Sequence, residues 1–331
     1  MKTPLLNLSD IQQARTRLGG AVRLTPSVYA GAISRGTGTR IWLKRDDLQR
    51  TGSFKERGAR NALLSLDHAA RSRGVVAASA GNHALGLAFH GGMLGIRVTV
   101  VMPVTAPEVK ITRCRGLGAD VVLHGQRFED AQAFGEALAR ETGATYLHPF
   151  DDLRVMAGQG TLALEILEQV PEVDTVVVPV GGGGLLAGTV TVFKTLRPKV
   201  RVVAVEPENA ASFLAACVQG APRPALVSST LADGLAVTQV GRMTYAIAAP
   251  RIDDLVTVSE NEIADAIRVM AREEGVIAEG AGAVGVAALL AGKIRGRAVV
   301  LPVGGRNIDA RLHERVVAGE TEAPKTWARA A

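Results

Sequence analysis

The chain has 331 residues, of which 47% are hydrophobic, 21% charged and 4% aromatic. At about 150 residues per domain, that length gives two domains or one large one, and the apolar content excludes disorder as the main description. Its 38 Lys and Arg against 32 Asp and Glu leave a net charge of +6, scattered along helical faces with few aromatics between, which disfavours nucleic-acid binding and suits small acidic ligands.

Read in chain order, MKTPLLNLSDIQQARTRL opens on a polar helix that Asp10 is expected to cap. It has the pattern of neither a signal peptide nor a membrane anchor. Short apolar runs then alternate with longer amphipathic ones. Strands are predicted at Arg40–Leu43, Val75–Ala78, Arg97–Met102, Asp120–Leu123, Thr175–Val180, Arg201–Glu206 and Ala298–Val303. Helices are predicted at Phe54–Ser65, His83–Leu94, Ala106–Leu117, Glu129–Glu141, Gly158–Gln169, Leu185–Leu196, Glu260–Glu274 and Ala281–Leu290. Ser259 and Glu262 have the spacing of a capping box. Several strands are continuous apolar runs, as expected when helices cover both faces of a parallel sheet. The stretch Pro207–Ile252 reads as extended surface loop, and the tail from Glu320 onward as polar and frayed. No apolar stretch reaches the ~18 residues a membrane-crossing helix needs. Cys114 and Cys217 show no CxxC or Cys/His spacing, which argues against disulfides and structural zinc and suits a reducing cytoplasm. Cys114, between Arg113 and Arg115, is expected on a helix surface.

Glycine is over-represented, with 37 residues against a usual ~7%, and no Gly-X-Y repeat accounts for it. Four glycines, Gly181–Gly184, join the strand TVVVPV to a helix. Without side chains, their N–H groups can converge on an anion at the helix N-terminus. The pattern is neither a Walker A loop nor GxGxxG with its acidic partner. A second turn, Ser79-Ala80-Gly81-Asn82-His83, has the groups to bind a carboxylate, although Ser and Asn are also ordinary N-caps. A third is Gly304-Gly305-Arg306-Asn307. Lys55 follows Gly52-Ser53-Phe54 at a helix start, where the dipole depresses an ammonium pKa, and imine chemistry needs a neutral amine. A phosphate cradle, a carboxylate turn and such a lysine together suggest pyridoxal 5'-phosphate acting on an amino acid.

WLKRDDLQRTGSFKERGARNAL, ASAGNHALGLAF, HPFDDLRVMAGQGTLALEI, PVGGGGLLAG and EGAGAVGVAAL follow one another over nearly the whole chain, from about Thr25 to Gly319. In this order they resemble the fold-type II pyridoxal-phosphate enzymes, specifically the serine/threonine dehydratase-like family. The resemblance implies an α/β fold of two open, twisted, mostly parallel sheet domains, like the tryptophan synthase β fold, with the cofactor in the cleft between them. Residues 74–149 would form the small domain, and 1–73 with 150–331 the large one. It implies that Lys55 is the Schiff-base lysine and the base for the Cα proton. Phe54 would pack near the ring, and Asn82 would bond the cofactor's 3′-oxygen. The amides of Gly181, Gly182, Gly183, Gly184 and Leu185 would hold the phosphate, and Gly304 would face the pyridine nitrogen. Ser53, Ser79, Ala80, Gly81, Asn82, His83 and Leu85 would surround the substrate, with a purely structural His83 equally open.

The activity implied is dehydration and deamination of a β-hydroxy amino acid to a 2-oxo acid and ammonia, threonine or serine by default. Ala80 stands where serine-racemising relatives carry Ser, which favours elimination over racemisation; β-replacement and a cofactor-binding protein without turnover are the other readings. Gly304 replaces the usual Ser or Cys, and Arg306 a common Gly. Leu85 replaces the Gln of threonine dehydratases. These departures bring in phenylserine, hydroxyaspartate or a hydroxyectoine-derived acid as substrates. Some relatives bind a divalent cation through a Glu, a carbonyl and an Asp; Glu206 and Ala210 match, but Ser212 replaces the Asp, so no metal is expected. A cytoplasmic homodimer is expected, with no nucleic-acid or membrane partner.

Overall fold

The structure, a computed structural model, describes residues 6–321; the start of the polar N-terminal segment and the tail beyond Thr321 lie outside the described residues. Ten strands alternate with helices: β1 Ser27–Tyr29, β2 Arg40–Lys44, β3 Val75–Ala78, β4 Val98–Met102, β5 Asp120–Leu123, β6 Thr145–Tyr146, β7 Thr175–Pro179, β8 Arg201–Pro207, β9 Asp254–Val258 and β10 Ala298–Pro302. They form a six-stranded sheet in the order β1-β2-β10-β7-β8-β9 and a four-stranded sheet in the order β5-β4-β3-β6. Every pairing is parallel except β1 with β2.

Burial on both faces explains the continuous apolar strands. Val176, Val178, Val202, Ala204 and Val300 enter one core of the large sheet, while Val177, Val203, Val205, Val299 and Leu301 enter the other. The small sheet repeats this alternation, with Val75, Ala77 and Val98 on one side and Val76 and Val101 on the other. Ala59, Ala62 and Leu63 of the helix Lys55–Leu64 join the first of those clusters. The lysine-bearing helix therefore joins the apolar core on that face of the four-stranded sheet, packed against the helices Asn82–Leu94 and Leu153–Gln169.

All seven predicted strands and eight predicted helices form, with ends moved by a few residues. The strands β1, β6 and β9 were not anticipated: two are very short, and DLVTV lies half-exposed at a sheet edge with little apolar contrast. Helical pieces Ser212–Gln219 and Arg242–Ala248 interrupt the expected loop. Asn7, not Asp10, caps the first helix; Asp10 returns the bond from the third helical position. Ser259 and Glu262 do form a capping box. Cys114 is buried rather than on the surface, and burial pushes its thiol up to about 11 despite Arg113.

Glycines account for the closest helix contacts. A Cβ on Gly158 would lie 2.6 Å from Gly58 Cα, and one on Gly188 would lie 2.7 Å from Gly160 Cα. The helix Leu153–Gln169 thus meets the helices Lys55–Leu64 and Gly184–Leu196 nearly backbone to backbone. Ion pairs lock the first of these crossings. Buried Arg57 donates to Asp46 at 2.6 and 2.8 Å, to Glu165 at 2.6 and 2.8 Å, and to Thr161 at 3.1 Å. Lys44 Nζ shares Glu165 Oε2 with Arg57, at 2.5 Å, and donates to Thr25 O at 2.5 Å. Two cations and two carboxylates compensate one another, so no buried charge is left alone.

Candidate active site

The turn before Lys55 is tied to the last glycine turn. Phe54 N donates to Gly304 O at 2.9 Å, Ser53 forms a β-bridge with Gly305, and the Glu56 carboxylate accepts from the Thr51 amide. Lys55 begins its helix, and Nζ donates to Pro149 O at 2.9 Å, 5.4 Å from the Phe54 ring centre. Burial pushes the amine down to about 8, with the Glu279 charge opposing. Loss of water, rather than the helix dipole, is therefore the main cause. A sizeable neutral fraction exists near physiological pH.

The residue after that carbonyl, Phe150, governs the glycine run. A Cβ on Gly182 would lie 2.1 Å from the Phe150 ring, so no side chain fits there, and Gly183 adopts φ +90°, favourable only to glycine. Thr244 Oγ1 donates to Gly182 O at 2.7 Å. Asp151 in turn accepts from the Met243 and Thr244 amides at 2.9 and 3.1 Å, fixing the helix that carries Thr244. Gly184 and Leu185 then open the helix Gly184–Leu196, whose first N–H groups have no partner within the helix. The result is a side-chain-free turn at a helix start, connected to the lysine through Pro149 and Phe150.

In the Ser79–His83 turn, Ser79 Oγ accepts from the Gly81 and Ala84 amides at 3.2 and 3.4 Å. Ala80 is half-buried at the edge of the small-sheet core, and Leu85 is buried within it. Gly81 precedes the helix Asn82–Leu94 in an extended conformation. Asn82 Nδ2 donates to Glu279 Oε1 at 2.8 Å. His83 Nε2 lies 3.2 Å from Leu147 O, and burial with the Lys55 charge pushes its pKa down to about 3. The ring is neutral, so Nε2–H donates to the carbonyl.

Gly304 lies flush against Phe54: a Cβ there would sit 3.2 Å from the ring. Arg306 is exposed, with its backbone N–H on Gly52 O at 3.0 Å. Glu279 was not anticipated as a site residue, although EGAGAVGVAAL contains it. It is 6% exposed at the N-cap of the helix Gly280–Leu290. Burial pushes its carboxyl up to about 7, Asp233 adds to the rise, and Asn82 opposes it. Phe150, Asp151, Thr244 and Asn307 were also given no individual role; their partners lie far away in sequence. Elsewhere, Glu206 accepts from the Phe213 and Leu214 amides at 2.7 and 2.8 Å, and burial pushes it up to about 7. Its carboxyl thus caps a helix, and no group of three or more His, Cys, Asp or Glu placed to hold a metal ion occurs among the described residues.

A partly buried amine with a lowered pKa, joined through one short loop to a side-chain-free turn at a helix start, is an arrangement suited to capturing a phosphorylated carbonyl compound. The model of the family "Pyridoxal-phosphate dependent enzyme" matches residues 18–305. The chain belongs to that family, in its fold-type II, serine/threonine dehydratase-like branch. It is 45% identical to L-threonine ammonia-lyase of Thermotoga maritima over 95% of this chain and 78% of that protein. The processed form of threonine deaminase isoform 2 from Solanum lycopersicum superposes with a TM-score of 0.88, at 36% identity and 96% coverage of both chains. Serine racemase from Dictyostelium discoideum gives 0.87 at 35% identity, covering 92% of this chain and 99% of that one.

The cofactor is pyridoxal phosphate, and the residues present fit it. Lys55 offers the amine, the run Gly181–Gly184 admits no side chain and so leaves its backbone N–H groups uncovered at a helix start, and Ser53 Oγ is buried without a protein partner.

Proposed function

We propose that this enzyme converts a β-hydroxy amino acid, threonine first and serine second, to a 2-oxo acid and ammonia. The observation that carries this reading is Lys55: a partly buried amine held by a single carbonyl oxygen, beside a side-chain-free turn. The likeness to L-threonine ammonia-lyase of Thermotoga maritima supports the choice of substrate.

Bound pyridoxal phosphate supplies an electron-accepting ring that stabilises negative charge at the substrate Cα. In this reading Lys55 attaches the cofactor, and its freed neutral amine takes the Cα proton. Pro149 O orients that amine. Phe54 would pack near the ring, Gly304 would face its nitrogen, Asn82 would bond its hydroxyl oxygen, and the amides of Gly181–Gly184 and Leu185 would hold the phosphate. Ser53, Ser79, Gly81, Asn82 and His83 line the substrate side, with Ala80 and Leu85 behind them. Ala80 brings no hydroxyl to the face opposite the lysine, which disfavours racemisation even though a serine racemase shares the fold. We assign the division into residues 74–149 and the remainder to closure over the substrate, which excludes water. A cytoplasmic homodimer completes the proposal; no helix among the described residues is long and apolar enough to cross a membrane.

The test is a panel of threonine, serine, phenylserine and hydroxyaspartate in both configurations, with 2-oxo acid, ammonia and racemised substrate all measured. Fastest release from L-threonine is expected. Racemisation outpacing ammonia release, or turnover of no panel member by protein carrying the cofactor, would overturn the reading.

A further inference from the structure

Two polar side chains from distant parts of the chain, Arg113 and Asn307, stand in line behind Asn82. Arg113, on the outer helix Glu108–Gly116 of the four-stranded sheet, reaches across to the last glycine turn. Its NH1 donates to Asn307 Oδ1 at 2.7 Å and its NH2 to Thr51 O at 3.1 Å. Asn307 Nδ2 donates to Thr51 O at 2.9 Å and to Asn82 Oδ1 at 2.6 Å. Asn82 Nδ2 then donates to Glu279 Oε1 at 2.8 Å.

An amide has two ends of opposite character, and a terminal amide in open space takes either orientation. A guanidinium only donates and a backbone carbonyl only accepts. Between Arg113 and Thr51 O, Asn307 has one satisfied orientation, with Oδ1 toward the arginine and Nδ2 toward the carbonyl. The second N–H of Asn307 then meets Asn82 and forces Oδ1 of that residue toward it. Asn82 is left with its NH₂ directed into the site. Gly52 makes room for this: a Cβ there would lie 2.8 Å from Asn307 Oδ1.

We propose that Arg113 and Asn307 are positioning residues that set the amide polarity of Asn82, so that it presents a donor to the cofactor's ring oxygen. This rests on the reading that Asn82 contacts the cofactor. The relay spans both sheets, so docking of the Arg113 helix on Asn307 couples closure of the cleft to a correctly turned Asn82.

The relay makes a prediction that a simple structural tie does not. Asn307→Asp keeps the shape and strengthens the pair with Arg113, yet offers Asn82 only acceptors. Asn82 must then turn its NH₂ outward and present Oδ1 to Glu279 and the cofactor. Apoprotein of the wild type, Asn82→Ala, Asn307→Asp, Arg113→Ala and Arg113→Lys is titrated with pyridoxal phosphate. Dissociation constant, visible absorbance and melting temperature are followed. Asn307→Asp is expected to raise the dissociation constant roughly tenfold or more and shift the absorbance, with melting temperature unchanged or higher. Arg113→Ala is expected to raise it about threefold, and Arg113→Lys less, because an ammonium still donates to Asn307. If Asn82→Ala weakens binding while Asn307→Asp and Arg113→Ala leave affinity and spectrum unchanged, the relay is wrong and the role of Asn82 stands. If Asn82→Ala is also without effect, both fall.

Discussion

Lys44, fully buried, and Lys55, partly buried, are two amines in neighbouring parts of the molecule with different partners. Lys44 Nζ donates to Thr25 O, Glu165 and Gln169 at 2.5, 2.5 and 3.2 Å. Burial lowers its pKa, and the carboxylates of Glu165 and Asp46 oppose that fall. Burial prevails at both amines, but Lys55 has one neutral acceptor, Pro149 O, and only the Glu279 charge in opposition, and it sits at about 8. Burial alone does not make a lysine reactive. The difference is whether the fold supplies compensating charge, and here the carboxylates are gathered around Lys44 and Arg57 while Lys55 is left short.

The largest expected break of this comparison is Lys55→Ala. It should abolish the visible absorbance of the attached cofactor and lower ammonia release at least about a thousandfold. Circular dichroism should show a retained fold. Lys44→Met should keep the absorbance, because that amine does no chemistry; equal loss in both variants would end the distinction.

Next in size is Arg57→Met, which leaves Asp46 and Glu165 with Lys44 as the remaining cation in the cluster. Destabilisation of about 3–5 kcal/mol is expected in urea melts, the usual cost of breaking a buried charge network from one side. A smaller pair of effects should differ in sign. Lys44→Met should cost roughly 1–3 kcal/mol by removing one of the two donors to Thr25 O and to Glu165 Oε2, which keep Gln169 and Arg57 respectively. Lys55→Met should instead stabilise the apoprotein below pH 8, on the order of 1–3 kcal/mol. The folded pKa of Lys55, about 8, lies below its ordinary 10.5. Between those values the unfolded chain holds more protons, so wild-type stability rises with pH and the advantage of Lys55→Met fades. Melting curves from pH 6 to 10.5 measure this.

The smallest effect sharpens the role of Glu279, whose charge raises the Lys55 pKa. Cofactor attachment to apoprotein needs the neutral amine, so its rate should rise about tenfold per pH unit and level off at about 8. Glu279→Gln should move that midpoint to lower pH by less than about one unit. Stopped-flow absorbance reads it directly, and a midpoint moved upward would contradict the assignment.

Much of this was legible along the chain. TVVVPV followed by four glycines and a helix announces a strand, a side-chain-free turn and a helix start, because burial pattern and the absence of Cβ are local properties. The same holds for Gly52-Ser53-Phe54-Lys55. Less legible were β1 and β6, too short to show alternation, and Cys114, whose flanking arginines suggested surface while its own side chain turns inward. Glu279 lies in a motif noticed for its glycines, and nothing nearby in sequence marks it as the partner of Asn82.

The amino-acid sequence by itself determined the alternating elements, the glycine run and which lysine stands at the turn, since these depend on spacing and side-chain size. Tertiary structure alone decided which amine lacks compensation and which way the Asn82 amide faces. The acceptor of Lys55 is 94 residues away, Glu279 is 197 residues from Asn82, and Asn307 is 225. Hydrogen bonds and desolvation act over a few ångströms, so only folding brings those groups within reach.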